Sequence, residues 1–270
     1  MSYYEYGETK LYYETEGEGE LFLIIHGWAI DHRFTKNMME PVFAKVPGKS
    51  FTRIYIDLPG MGLSEAGKVK NGDGVIEVID NFMRDIFGDS RFYVGGNSFG
   101  AGVGRAYAAK YPDKVLGLML IVPSTGKLGK VPTSGVVIKD KNFLSTLSIK
   151  ERAAFSCMNA ILTEPVWNRY KEQVLPSVEI NEDNDFLKGK FHGTFGFDID
   201  AAFRKRKYDK PVLILCADHD TAVGYEDQKK WLEIFANAQY YVIKDAGHNV
   251  FVDAPEEFES VVSKWIEALS

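Results

Sequence analysis

The sequence predicts an α/β chain: a doubly wound, mostly parallel sheet with a helical insertion near its middle. Three observations predict it. Short, continuously apolar runs recur along the chain, the pattern of strands covered on both faces. Segments of helical period separate them, giving a strand, helix, strand, helix order. That rhythm stops after Pro123 and resumes near Tyr208, so one sheet is expected to draw on both flanking pieces.

Residues 2 to 15 are rich in Tyr, with Gly7 between two halves, which predicts an antiparallel hairpin at a sheet edge. Leu21 to Ile25 is the first buried-strand run, ending at His26-Gly27-Trp28. A helix follows from about Asp31, a suitable N-cap, with apolar positions at Phe34, Met38, Val42 and Phe43. Phe51 to Ile56 forms the next strand and breaks at Asp57-Leu58-Pro59-Gly60-Met61-Gly62-Leu63-Ser64. Helical spacing returns across Val75, Ile79, Phe82, Met83 and Ile86. Arg91 to Asn97 then climbs to Ser98, a helical pattern leaves it through Tyr111, and Val115 to Val122 is another buried strand.

Between Pro123 and Tyr208 no good buried-strand run occurs, whereas amphipathic stretches span about 148 to 163 and 164 to 174. Beyond it lie a strand at Pro211 to Cys216, a helix over Asp227 to Phe235, a strand at Gln239 to Ile243 and a closing helix from about Pro255 to Leu269. Proline suits the first helical turn. The expected division is therefore a core of residues 1–123 and 208–270 and a helical cap, or lid, over 124–207.

Bulk properties narrow the function. With 32 basic and 38 acidic residues the net charge is −6, which disfavours polyanionic partners such as nucleic acid. The one basic run, Arg204 to Lys207, is short and reads as a solvated helix end. No apolar run approaches the ~20 residues of a membrane span. The polar, aromatic start of the chain lacks a signal-peptide core, so a cytoplasmic location is expected. Cys157 and Cys216 are the two cysteines, too few for a disulfide framework or a zinc cluster. Neither a cofactor nor a metal is expected. The expected partner is a small-molecule substrate, with the chain a monomer or homodimer.

The chemistry starts at Gly96-Asn97-Ser98-Phe99-Gly100. A G-x-S-x-G sequence between strand and helix suits a sharp turn that exposes the serine hydroxyl. Glycine is needed because strand and helix crowd the positions two before and two after the serine. An ordinary capped turn would produce the same pentapeptide, so its surroundings decide. Reactive groups of an open parallel sheet gather at the strands' carboxyl ends. Three further stretches lie at such ends.

His248, in Ala246-Gly247-His248-Asn249, follows the last strand and can take the serine proton. Asp218 and Asp220 follow the strand ending at Cys216, and a carboxylate there can hold the other imidazole N–H. Reach into the loop favours Asp220. His26-Gly27-Trp28 follows the first buried strand. The backbone N–H groups of Trp28 and Phe99 are the expected donors to the oxyanion that forms when a carbonyl is attacked. His26 itself, set before a tight glycine turn, is expected to brace the loop.

Together these stretches resemble the α/β-hydrolase-fold serine hydrolases across nearly the whole chain. His26-Gly27 matches the family's oxyanion-loop H-G, Asp57 to Ser64 its D-x-P-G-x-G-x-S, and residues 96 to 100 its elbow. Ala217 to Val223 is similar to its G-x-x-D-x-x-V acid loop, and Gly247-His248 to its G-H. Ala217 stands where the family usually has Gly, and Gly224 where it usually has Pro. The resemblance implies the triad Ser98, Asp220 and His248, in the chain order of that family. It leaves the scissile bond open.

A small, apolar carboxylic ester is the first expectation. A carbon–carbon bond hydrolase of the meta-cleavage type is the alternative, since the Gly-Asn-Ser sequence resembles that branch. An acyltransferase or a ligand-binding receptor on the same fold are the non-hydrolytic options. Of the aromatics in the insertion, Phe143, Phe155, Trp167, Tyr170 and Phe195 are the candidates to line an apolar pocket above Ser98.

Overall fold

The computed structural model describes residues 2–124, 131–132, 135–189 and 208–269. Its frame is an eight-stranded sheet built from β1 (Ser2–Tyr6), β2 (Thr9–Glu16), β3 (Glu20–Ile25), β4 (Phe51–Ile56), β5 (Phe92–Asn97), β6 (Val115–Ile121), β9 (Tyr208–Ala217) and β10 (Phe235–Ile243), taken in the order β1-β2-β4-β3-β5-β6-β9-β10. The hairpin β1–β2 pairs antiparallel and turns at Gly7, whose φ is +60°. β2 joins β4 antiparallel, and every later pairing is parallel.

Helices cover both faces, which is why the central strands are apolar throughout rather than alternating. α1 (His32–Phe43) begins at Asp31, whose carboxylate accepts from the Arg33 N–H. α2 (Gly72–Phe87) buries Val75, Ile79, Phe82 and Met83, while Ile86 stays exposed. α3 (Phe99–Lys110) buries ten consecutive residues from Phe99 to Ala108 behind β5. Two apolar cores result. One packs α2 and α3 against Leu23, Ile54, Val94 and Leu118; the other packs α1 and the C-terminal helix against Phe22, Ile24, Tyr55 and Leu213.

After β6 the described chain forms β7 (Ile138–Lys139), α4 (Lys141–Thr146), α5 (Ile149–Met158), β8 (Ile161–Leu162), α6 (Glu164–Gln173), α7 (Leu175–Glu179) and α8 (Asp185–Gly189). α5 opens with a capping box in which Ser148 and Glu151 satisfy each other's backbone N–H groups. The expected helix over 148 to 163 stops at Met158, because residues 161–162 leave it to pair with β7. The expected α-helix over 227 to 235 is a 3₁₀ helix at Glu226–Glu233, and β10 starts at Phe235 rather than near residue 239. The chain ends in α9 (Val250–Asp253) and α10 (Pro255–Glu267).

β3 sends its crossover to β4 on one side, and the next crossover returns to β5 on the other. The chain reverses its direction of winding between β3 and β5. In an open α/β sheet that reversal opens a crevice beyond the strand ends.

Candidate active site

Ser98 occupies that crevice, between the last residue of β5 and the first of α3. Its backbone sits at φ 52°, ψ −115°, a region that L side chains seldom adopt. The neighbours hold it there: the Ser98 N–H donates to Ile121 O at 2.9 Å, and Ser98 O accepts from the Ser124 and Gly102 N–H groups at 3.0 and 3.2 Å. The flanking glycines have a steric cause. A Cβ at Gly96 would come within 2.5 Å of the Gly100 backbone, and one at Gly100 within 2.2 Å of Ile25 O and 2.3 Å of His26 O.

His248 lies in the loop after β10 and is 8% exposed. Its Nδ1 stands 2.8 Å from Asp220 Oδ2. A carboxylate beside Nδ1 favours the tautomer protonated there, which leaves Nε2 as an acceptor. Asp220 is fully buried and its other oxygen accepts from the Ala222 and Val223 N–H groups at 2.8 and 3.0 Å. Asp218 points elsewhere, with Lys244 Nζ 3.5 Å from its Oδ2. Of the two acids in the loop, the one facing the imidazole is therefore Asp220.

Two residues absent from the sequence reading hold the histidine loop. Asp253 is buried, and its Oδ2 accepts from the Gly247 N–H at 2.8 Å and the Ala160 N–H at 2.7 Å, while Oδ1 accepts from Asn159 Nδ2 at 3.0 Å. Asn159 Oδ1 in turn accepts from Asn249 Nδ2, and Met158 O from the Asn249 N–H, both at 3.0 Å. The end of α5 is thereby clasped to both neighbours of His248. Burial pushes the Asp253 carboxyl up, against the opposing pull of these N–H donors. The available signal was an acid inside the apolar run Val250-Phe251-Val252-Asp253.

On the other side of Ser98, Trp28 is half-buried with its ring edge-to-face on Phe99, centroids 5.7 Å apart. Phe99 is the first residue of α3, whose opening N–H groups form the positive end of the helix. His26 is fully buried; its Nε2 accepts from the Leu58 N–H at 2.8 Å and its Nδ1 donates to Gly27 O at 2.7 Å. Burial pushes its basicity down, in keeping with a neutral ring that must accept at Nε2. It ties the Trp28 loop to the Asp57 loop, where Asp57 accepts from the His32 and Leu63 N–H groups.

Ser98, His248, Trp28 and Asn97 line one cavity of about 460 Å³. Apart from Asn249 and Tyr170, the rest of its wall carries no hydrogen-bonding side chain other than the Cys157 thiol: Ile30 and Phe34 from the core side, and Ala154, Met158, Val174 and Val178 from α5 to α7. No Asp, Glu, Lys or Arg lines it among the described residues.

The candidate aromatics divide. Tyr170 lines the cavity. Phe155 and Trp167 do not: both are buried behind the wall, with ring centroids 5.3 Å apart and 5.4 and 5.6 Å from Tyr170. Phe143 is half-buried against the same core and stands off the wall. Phe195, like the basic run Arg204 to Lys207, lies outside the described residues. Helical spacing shows that such residues face inward, but a helix beside a cavity buries one flank on protein and turns another to the cavity. Cys157 lines the cavity, whereas Cys216 is a buried core residue.

Among the described residues, one group of ligand-type atoms lies close enough for a metal: Asp31, His32 and Asp57, within 4.8 Å of one another. These atoms already serve protein partners. Asp31 pairs with Arg33 at 2.6 Å, and Asp57 Oδ1 receives His32 Nδ1 at 2.8 Å. The group reads as a structural clasp under α1. No helix among the described residues is long and apolar enough to cross a membrane.

Comparison with known proteins agrees with this architecture. Residues 20–255 match the family model for the alpha/beta hydrolase fold. The chain is 26% identical over 259 residues to "Lipase 3" of Moraxella sp. (strain TA144), covering 93% of this chain and 79% of that protein. An alpha/beta superfamily hydrolase from Oenococcus oeni PSU-1 superposes with a TM-score of 0.84 at 24% identity, covering 100% of this chain and 99% of that one. A meta-cleavage product hydrolase from Pseudomonas fluorescens IP01 superposes at 0.65 with 18% identity, covering 97% and 96%. At such identities the structural likeness shows the fold alone.

Proposed function

The chain belongs to the α/β-hydrolase-fold family and is a hydrolase, and on that premise we propose that it is a serine hydrolase cleaving an apolar, uncharged carboxylic ester through an acyl-enzyme. The observation that carries this reading is the 2.8 Å His248–Asp220 pair together with Ser98 on its strained turn, His248 and Ser98 lining the same cavity. Ser98 Oγ attacks the carbonyl carbon while His248 Nε2 takes its proton. Asp220, buried and held by two backbone N–H groups, keeps the imidazole oriented and stabilises the imidazolium. The Trp28 and Phe99 amides hold the oxyanion. His248 then gives the proton to the departing alcohol, and a water activated by the same imidazole frees the acid.

Residues 124–207 serve as the cap of this enzyme, over a core of 1–123 and 208–270. The uncharged wall supports an apolar acyl group, because an ionised substrate would lose hydration there without a counter-charge. The lipase among the sequence relatives supports the ester over the alternative carbon–carbon bond. Steady-state hydrolysis of p-nitrophenyl esters of increasing acyl length tests the reading. Turnover is expected to rise with chain length and then fall once about 460 Å³ is filled. A rate independent of acyl length, or none with any ester, would overturn it.

A further inference from the structure

Tyr170 and Ser98 are the only hydroxyl-bearing residues that line the cavity, among the described residues. The rest of the wall from α5 to α7 is hydrocarbon, thioether and thiol: Ala154, Cys157, Met158, Val174 and Val178. Tyr170 itself is 3% exposed, and its ring is fixed by stacking on Trp167 at 5.6 Å and by Phe155 at 5.4 Å. Tyr170 lines the cavity, and its hydroxyl makes no hydrogen bond to any described residue. A buried tyrosine hydroxyl ordinarily has a partner. Burial pushes the Tyr170 hydroxyl up to about 12, so it stays a neutral O–H donor through the working range.

We infer that Tyr170 is a specificity residue that donates a hydrogen bond to an uncharged acceptor on the acyl chain, such as an oxo or ether oxygen, remote from the scissile carbonyl. The inference rests on the ester-hydrolase reading and names its substrate class: acyl groups that carry an internal oxygen, rather than plain alkanoyl chains. Val174 and Val178 line the cavity with Tyr170, so the donor adjoins aliphatic wall. That layout suits a chain that is apolar on both sides of one polar point. A carboxylate at that point is disfavoured, since the wall offers no cation. A plain alkyl chain would fill the space and leave the hydroxyl unpaired, a loss worth roughly tenfold or more in selectivity.

The test compares two series of p-nitrophenyl esters matched in length, alkanoyl and oxo-alkanoyl, with the oxo group moved along the chain. Wild type is expected to prefer one oxo position over its alkanoyl partner by about tenfold in kcat/KM. Tyr170→Phe, which keeps the ring and its stacking, is expected to bring that ratio to within about twofold of unity. No preference at any position in the wild type, or a ratio unchanged in the variant, would overturn the inference. If the variant folds poorly, the wild-type ratio decides alone. Loss of the ester-hydrolase reading would look different: neither series would be turned over.

Discussion

Replacing Gly100 with alanine tests the elbow geometry most sharply. The added Cβ would lie 2.2 Å from Ile25 O and 2.3 Å from His26 O, more than 1 Å inside ordinary contact. Both obstacles are backbone of β3 and its loop, so no rotamer change relieves them; α3 must back away from the sheet. Overpacking of this kind costs roughly 1–3 kcal/mol, and a backbone clash belongs at the upper end. At about 2–4 °C per kcal/mol for a chain of this size, Tm should fall by roughly 6–12 °C. The same displacement moves the Phe99 N–H and Ser98, and a misplacement of about 1 Å can cost on the order of 100-fold in rate. Gly48→Ala is the control, since nothing lies within 4 Å of its Cβ and its effect should stay within about 0.5 kcal/mol. Thermal unfolding by circular dichroism and ester kinetics on both variants supply the readings. A Gly100→Ala protein with the Tm and kcat/KM of Gly48→Ala would refute the steric argument.

Two further outcomes follow from the hydrogen-bond networks. Asp220→Asn should lower kcat by on the order of 10³–10⁴-fold with little change in Tm, as the amide favours the wrong imidazole tautomer; a loss under tenfold would remove Asp220 from the mechanism. For His32, burial pulls its basicity down, but the Asp57 hydrogen bond and charge outweigh it and the net shift is upward. A raised folded value means the stabilisation is complete below the unfolded value of about 6.5 and is lost as pH rises through the folded value. The Tm deficit of His32→Gln against wild type should therefore be larger at pH 6 than at pH 9, and an equal deficit at both would contradict the Asp57 pairing.

The central strands and the turns at their ends were legible because both report strong local constraints. Leu21 to Ile25 must be apolar on both faces, and Gly96 and Gly100 must lack a Cβ for reasons the coordinates make explicit. The edge was harder. β10 has an alternating, only partly buried pattern, and its opening Phe235-Ala236-Asn237-Ala238 carries no continuous apolar signal. β7 and β8 are two residues each, too short for any period to register. At the site, sequence order suggested Ser98, Asp220 and His248, since each ends a strand or follows one. Asp253 and Asn159 escaped notice because their role depends on a contact between segments 94 residues apart. Phe155 and Trp167 show the converse limit: periodicity gives inwardness, whereas which inward flank meets a cavity depends on how the helix is docked.

The most direct measurement on the account as a whole is the site of covalent capture by a fluorophosphonate probe, read by intact mass and peptide mapping on the wild type and on Ser98→Ala. The account predicts one adduct, on Ser98, and no adduct in the variant at unchanged circular dichroism. An adduct on another residue, or labelling that persists in Ser98→Ala, would contradict it.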